Sequence, residues 1–194
     1  MHVLLRRTLG RCAKGFTVVE LMVTLGVIAI LTVVAIPSFN SMINSNRLTT
    51  ASNEIVAALN TARMEAIKRN AYTQFCSDSS SNNTTDTLGT RCGTQSGAVF
   101  VQLAPASTST VFDAPPDLQM PIQLHGHINA IRFHGDGLGY APGQTTPYSD
   151  TTSGSSQTAV AFICTASLKT NNTVMIQMVT GSIITSTTTT GTCP

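Results

Sequence analysis

The chain of 194 residues contains no Trp, and Asp, Glu, Lys and Arg together make up only 10% of it. Its five cysteines (Cys12, Cys76, Cys92, Cys164 and Cys193) form no C-x-x-C pair, so the usual spacing of a zinc site is missing. No Ser/His/Asp or Cys/His arrangement for nucleophilic catalysis is visible. The one glycine-rich stretch, Gly135-Asp136-Gly137-Leu138-Gly139, follows a strand-like run with no helix behind it to receive a phosphate, and it reads as a turn. His125 and His127, two residues apart, share a face of any strand there. With His134 and Asp136 they could gather at one sheet edge as a metal site; solvated strand histidines are the simpler reading. An enzyme finds no support in these residues, and no metal or cofactor is expected.

What the chain does have is one long apolar run. From Phe16 to Ile36 there are 21 residues, and Glu20 is the only charged one. As a helix rising about 1.5 Å per residue, this run is roughly 31 Å long. The hydrocarbon core of a bilayer is about 30 Å thick, so the run can cross once. A secretory signal would carry a small-residue A-x-A site just after its apolar region. Here Pro37-Ser38-Phe39 follows, and the small residue, Gly15, stands before the run. Cleavage at Gly15 would leave the apolar helix on the mature chain.

The formal net charge of +2 changes meaning once the run is recognised. Arg6, Arg7, Arg11 and Lys14 all precede it, leaving seven basic side chains against nine acidic ones, a net of −2. The mature part is thus no general polyanion binder. The four leading cations hold their side of the span in the cytoplasm, which puts the C-terminal domain on the far side of the membrane. Cys12 goes with the leader. The four remaining cysteines suit an oxidising compartment and allow three pairings. The pairing expected is Cys76–Cys92 and Cys164–Cys193, since each closes a polar loop or tail onto an adjacent strand.

The segment Gly15-Phe16-Thr17-Val18-Val19-Glu20-Leu21-Met22, with its basic lead-in, closely resembles the class III leader of type IV prepilins and type II secretion pseudopilins. The resemblance covers about Lys14 to Pro37. It implies cleavage after Gly15 by prepilin peptidase, methylation of the new N-terminus at Phe16, and an assembly role for Glu20. A lone carboxylate at membrane depth is costly and is functional by default. The role implied here is to neutralise the terminal amine of a neighbouring subunit as helices bundle.

Beyond Pro37 an apolar stripe of Leu48, Ala51, Ile55, Ala58, Leu59, Ala62 and Ala66 recurs at three- and four-residue spacing, predicting a half-buried helix to about Asn70. Arg47, Glu54, Arg63, Glu65 and Arg69 fall on its other faces. The phrase Ala62-Arg63-Met64-Glu65-Ala66-Ile67-Lys68-Arg69 resembles the helix end of FimT-like minor pilins and GspH-like pseudopilins. Ala98–Val101 and Ile131–Gly137 resemble later blocks of that family more loosely, and the Trp usual before the first of these is absent.

Strands are expected at Tyr72–Cys76, Ala98–Leu103, Pro121–Leu124, Ile128–Phe133, Thr158–Cys164, Thr173–Val179 and Ser182–Ser186. Exposed loops are expected at Ser77–Ser96, Ala104–Asp117 and Gly135–Ser156, and a low-complexity tail at Thr185–Thr192. A long helix followed by antiparallel strands is an α+β, pilin-like architecture. Its parts are a leader (1–15), a transmembrane assembly helix (16–36), an amphipathic continuation (37–70) and an extracytoplasmic β-rich domain (71–194).

The resemblance implies a structural minor pilin or pseudopilin, single-pass in a bacterial inner membrane and then part of a type IV pilus or type II secretion pseudopilus. Its implied partners are other pilins, prepilin peptidase, the inner-membrane assembly platform and the membrane lipid. The alternative is a DNA-binding minor pilin for natural transformation. Such relatives bind DNA through a G-R-x-R motif, whose place here is Gly181-Ser182-Ile183-Ile184, with both arginines missing. Phosphates are held chiefly by Lys and Arg, and after Arg132 only Lys169 remains, so DNA is not expected as a partner.

Overall fold

A computed structural model describes residues 15–116, 118, 120–149 and 159–194. The leader residues Met1–Lys14 and Thr158, the expected start of one strand, lie outside the described residues. The chain divides into two compact units, Met1–Asn40 and Ser41–Pro194.

One helix, α1 (Val18–Arg69), supplies both units and continues through Pro37. Proline lacks one N–H and so removes one backbone bond without obliging a long helix to stop. The helix ends where Asn70 turns into the left-handed region at φ 46°. Ala71 N–H then donates to the Ala66 carbonyl, closing the last turn.

In the second unit the stripe from Leu48 to Ala66 is buried, as its spacing requires. It shares one core with Phe75, Val99, Ile131 and Phe133 from one sheet and Ile163, Ile176 and Met178 from another. Alanine at four of these helix positions lets backbones approach: Thr73, on a strand, donates its hydroxyl to the Ala62 carbonyl at 2.8 Å.

The strands are β1 (Thr73–Phe75), β2 (Val99–Ala104), β3 (Ser107–Phe112), β4 (Gln123–Leu124), β5 (Ile131–Phe133), β6 (Gly139–Tyr140), β7 (Ala161–Cys164), β8 (Thr173–Val179) and β9 (Ile183–Thr189). They form a five-stranded sheet in the order β3-β2-β1-β5-β6 and a four-stranded sheet in the order β4-β7-β8-β9. Every pairing is antiparallel. The architecture is α+β and pilin-like.

Four expectations need correction. The stretch Ala104–Asp117 is not all loop, because β3 pairs along β2 through its backbone although its Ser and Thr side chains carry no apolar alternation. The stretch Ser77–Ser96 holds two short helices, α2 (Ser80–Asn83) and α3 (Thr87–Cys92). The last strand runs beyond Ser186 to Thr189, since β-branched threonines suit a pleated ladder and each meets a partner on β8. Gly135–Ser156 is not all loop either: β6 pairs with β5, and the expected turn Gly135–Gly139 joins the two, its last residue already in β6. His134 N–H reaches the Leu138 carbonyl there, and Gly137 sits at φ 80°, a conformation that residues with a Cβ rarely adopt.

Candidate functional site

The N-terminal segment is built in a few residues. Gly15, Phe16 and Thr17 precede the helix, and Glu20 lies in its first turn. The Thr17 hydroxyl accepts the Glu20 N–H at 3.2 Å, and the Thr17 carbonyl accepts Leu21 N–H at 3.1 Å. Thr17 is thus a helix cap, satisfying a first-turn donor that a bilayer could not solvate. The residue pattern Thr17-x-x-Glu20 announces such a cap, and the sequence reading passed over it. It gives Glu20 a second setting, three residues into a helix whose N-terminal dipole favours negative charge.

The other polar side chains in the run are answered locally. Thr24 donates to the Leu21 carbonyl and Thr32 to the Ala29 carbonyl, each at 2.9 Å. The large apolar side chains from Phe16 to Val33 are turned outward. Phe16 is 74% exposed and Leu21 53%, and no part of the most apolar 18-residue window is buried. Glu20 is the only ionisable group on this surface.

The histidines go to separate places. His127 Nδ1 lies 2.8 Å from Asp78 Oδ2, while the other Asp78 oxygen accepts Ile128 N–H. His125 packs edge-on against Phe162 at 4.9 Å. His134 stacks on Tyr140 at 4.3 Å and meets Tyr72 edge-on at 4.7 Å. Burial, partly countered by Asp136, lowers the His134 pKa from its ordinary value. Asp136 accepts Leu138 N–H and the Tyr140 hydroxyl instead of joining a histidine cluster. Among the described residues no group of three or more His, Cys, Asp or Glu could hold a metal ion. Tyr72 and His134 also border an open cleft of about 580 Å³ with Asn70, Leu103 and Pro105.

The segment after β1 is tied down by disulfide and by polar side chains. A disulfide joins Cys76 to Cys92, with Cα atoms 5.4 Å apart, inside a small core of Leu88, Ala98 and Phe100. Buried Asn83 accepts Ser77 N–H and donates to the Ser77 and Gly93 carbonyls. Arg132 on β5 donates to the buried Gln74 side chain and to both oxygens of Asp86. Asp86 in turn caps α3 through Gly89 N–H at 2.9 Å. The Arg132 guanidinium holds the Asp86 carboxyl below its usual pKa. A second disulfide joins Cys164 on β7 to Cys193, with Cα atoms 5.7 Å apart.

The Gly181–Ile184 place forms the turn into β9. Gly181 N–H donates to the Tyr148 carbonyl, and Arg63 donates to the Ser182 carbonyl at 3.1 Å.

Comparison with known families gives two matches. The family described as Type II transport protein GspH matches residues 51–167, more than half of the chain. The prokaryotic N-terminal methylation motif matches residues 10–36. No curated protein and no solved structure matches the chain.

Proposed function

The chain belongs to the GspH family of type II transport proteins, and from that premise we propose that it is a minor pilin or pseudopilin that works by packing its N-terminal helix among those of neighbouring subunits. One observation carries the reading. Within the methylation-motif match, the run from Phe16 to Ile36 is an apolar surface of membrane length with outward-facing side chains such as Val19, Leu21 and Leu25, and Glu20 is its single charge. Lipid and a bundle of like helices are both apolar surroundings, so passing from one to the other leaves the burial of these side chains nearly unchanged.

In this reading prepilin peptidase cuts after Gly15, the leader 1–15 is lost and Phe16 becomes a methylated N-terminus. Residues 16–36 cross the inner membrane, 37–70 continue as the amphipathic helix, and 71–194 lie in the periplasm before assembly. The new N-terminal amine would carry a positive charge into the bundle. A Glu20 carboxylate on an adjacent helix would neutralise it, which removes the cost of an unpaired ion in low dielectric.

Mass spectrometry of the native protein should find methylated Phe16 as its first residue. Glu20→Val should insert in the membrane as the wild type does and be depleted from filaments; incorporation equal to wild type would refute the role given to Glu20. DNA binding finds no support at Gly181–Ile184, where no Lys or Arg stands. A gel-shift of the full chain in low salt should therefore show no submicromolar complex.

A further inference from the structure

A sheet edge exposes unpaired N–H and C=O groups, and proteins that stay apart blunt their edges with short strands, bulges, charge or proline. Three of the four edges here are blunted. β4 and β6 are two residues long, and β3 carries two register shifts against β2. The fourth edge, β9, is different. It runs seven residues in unbroken register with β8 and contains no charged residue and no proline. All its residues but Ile184 are exposed, and among the described residues no strand pairs with its far side.

The hydrogen-bond pattern fixes which β9 groups are free. Thr165 N–H donates to the Asn172 carbonyl and Val160 N–H to the Ile176 carbonyl, so the even-numbered residues of β8 turn their backbone groups toward β7. Thr173, Met175, Gln177 and Val179 then turn theirs toward β9, onto Thr189, Thr187, Thr185 and Ile183. The backbone groups of Ile184, Ser186 and Thr188 therefore point away from the sheet. Each of these residues offers one donor and one acceptor.

We propose that β9 docks against β9 of a second copy of this chain, antiparallel about a two-fold axis through Ser186. In that register Ser186 faces Ser186 of the second copy and Ile184 faces its Thr188. Every outward donor on either strand meets an outward acceptor on the other. A shift of the register by two residues would leave some of them unpaired. Thr185 falls opposite Thr187 of the second copy in the close, non-hydrogen-bonded position, where β-branched side chains touch. With no charge on the strand, nothing opposes its own image. A two-fold pairing of this kind is closed and consumes the one open edge. It is separate from the helix reading and does not rest on it.

The test places a charge on the axis. Ser186 is exposed, so Ser186→Lys and Ser186→Glu should fold. Each would set like charges opposite one another and weaken self-association of the full-length chain in detergent micelles roughly fivefold. Sedimentation equilibrium reads this directly. An equimolar mixture of the two variants, differently tagged, should associate at least as tightly as wild type, and Ser186→Ala should match wild type because the backbone pairs remain. A dimer formed through the apolar helix would ignore these charges. The proposal falls if the Lys variant associates like wild type, if the mixture fails to recover, or if wild type stays monomeric at about a hundred micromolar, well above the affinity a weak specific interface reaches.

Discussion

The two ends of α1 share one backbone and differ in what surrounds them. From Phe16 to Ile36 large side chains such as Leu21, Leu25 and Ile30 face outward; from Leu48 to Ala66 the stripe is small and fully covered. The first stretch carries apolar residues on all sides, and the second keeps them to one stripe. A helix apolar all round has no inside of its own and needs an apolar solvent or other helices. A striped helix carries its partner in its own chain, here two sheets. The alanines mark the difference: they contribute little apolar area but allow strands to come close, which is useful only where a fixed neighbour exists.

Mutation can sharpen that contrast. The largest effect should come from Phe75→Ala, which empties a fully buried site beneath α1 and should cost about 3–5 kcal/mol in denaturant unfolding of the second unit. Leu25→Ala, of similar chemistry but exposed, should change the same measurement by less than about 0.5 kcal/mol. A comparable loss at Leu25 would mean that the apolar stretch is part of the folded core after all.

Next should come the Cys76–Cys92 bridge. Replacing both cysteines with Ser should lower stability by about 2–4 kcal/mol, because the bridge closes a loop spanning 16 residues. The change should leave membrane insertion of the N-terminal segment unaltered, as read by carbonate extraction.

The smallest of the three losses should come from Arg132→Met, which leaves the buried Gln74 oxygen without its donor and should cost about 1–3 kcal/mol. This site also sets a pH dependence. The folded-state pKa of Asp86 is depressed, so its contribution is present above its ordinary value of 3.8 and is lost as pH falls below it. Unfolding curves across that range should show an acid slope that Asp86→Asn reduces.

How much of this was readable from residues alone depends on whether the cause is local. The apolar run, its acid and the helical stripe are properties of spacing and were legible. The turn within Gly135–Gly139 was legible too, because its glycines mark a turn and Gly137 takes the positive φ of 80° that glycine allows. β3 was not, because Ser107–Thr110 shows no apolar alternation and owes its conformation to pairing with β2. The two short helices in Ser77–Ser96 were hidden by a composition of Ser, Thr, Asn and Gly. Asn83 and the Asp86–Arg132 pair hold that segment, and Arg132 lies 46 residues from Asp86. The neighbours of the histidines were equally hidden: His127 meets Asp78, His125 meets Phe162 and His134 meets Tyr72 and Tyr140, partners mostly distant in the chain.

Sequence alone decides that this chain has a membrane-length helix with one carboxylate near its start, because hydrophobic length and charge spacing need no knowledge of the fold. Only the tertiary structure decides which strands are edges, which backbone groups on β9 remain free and where Arg132 is anchored. Those depend on pairings between residues far apart in the chain, whose partners are chosen by the packing of the whole second unit.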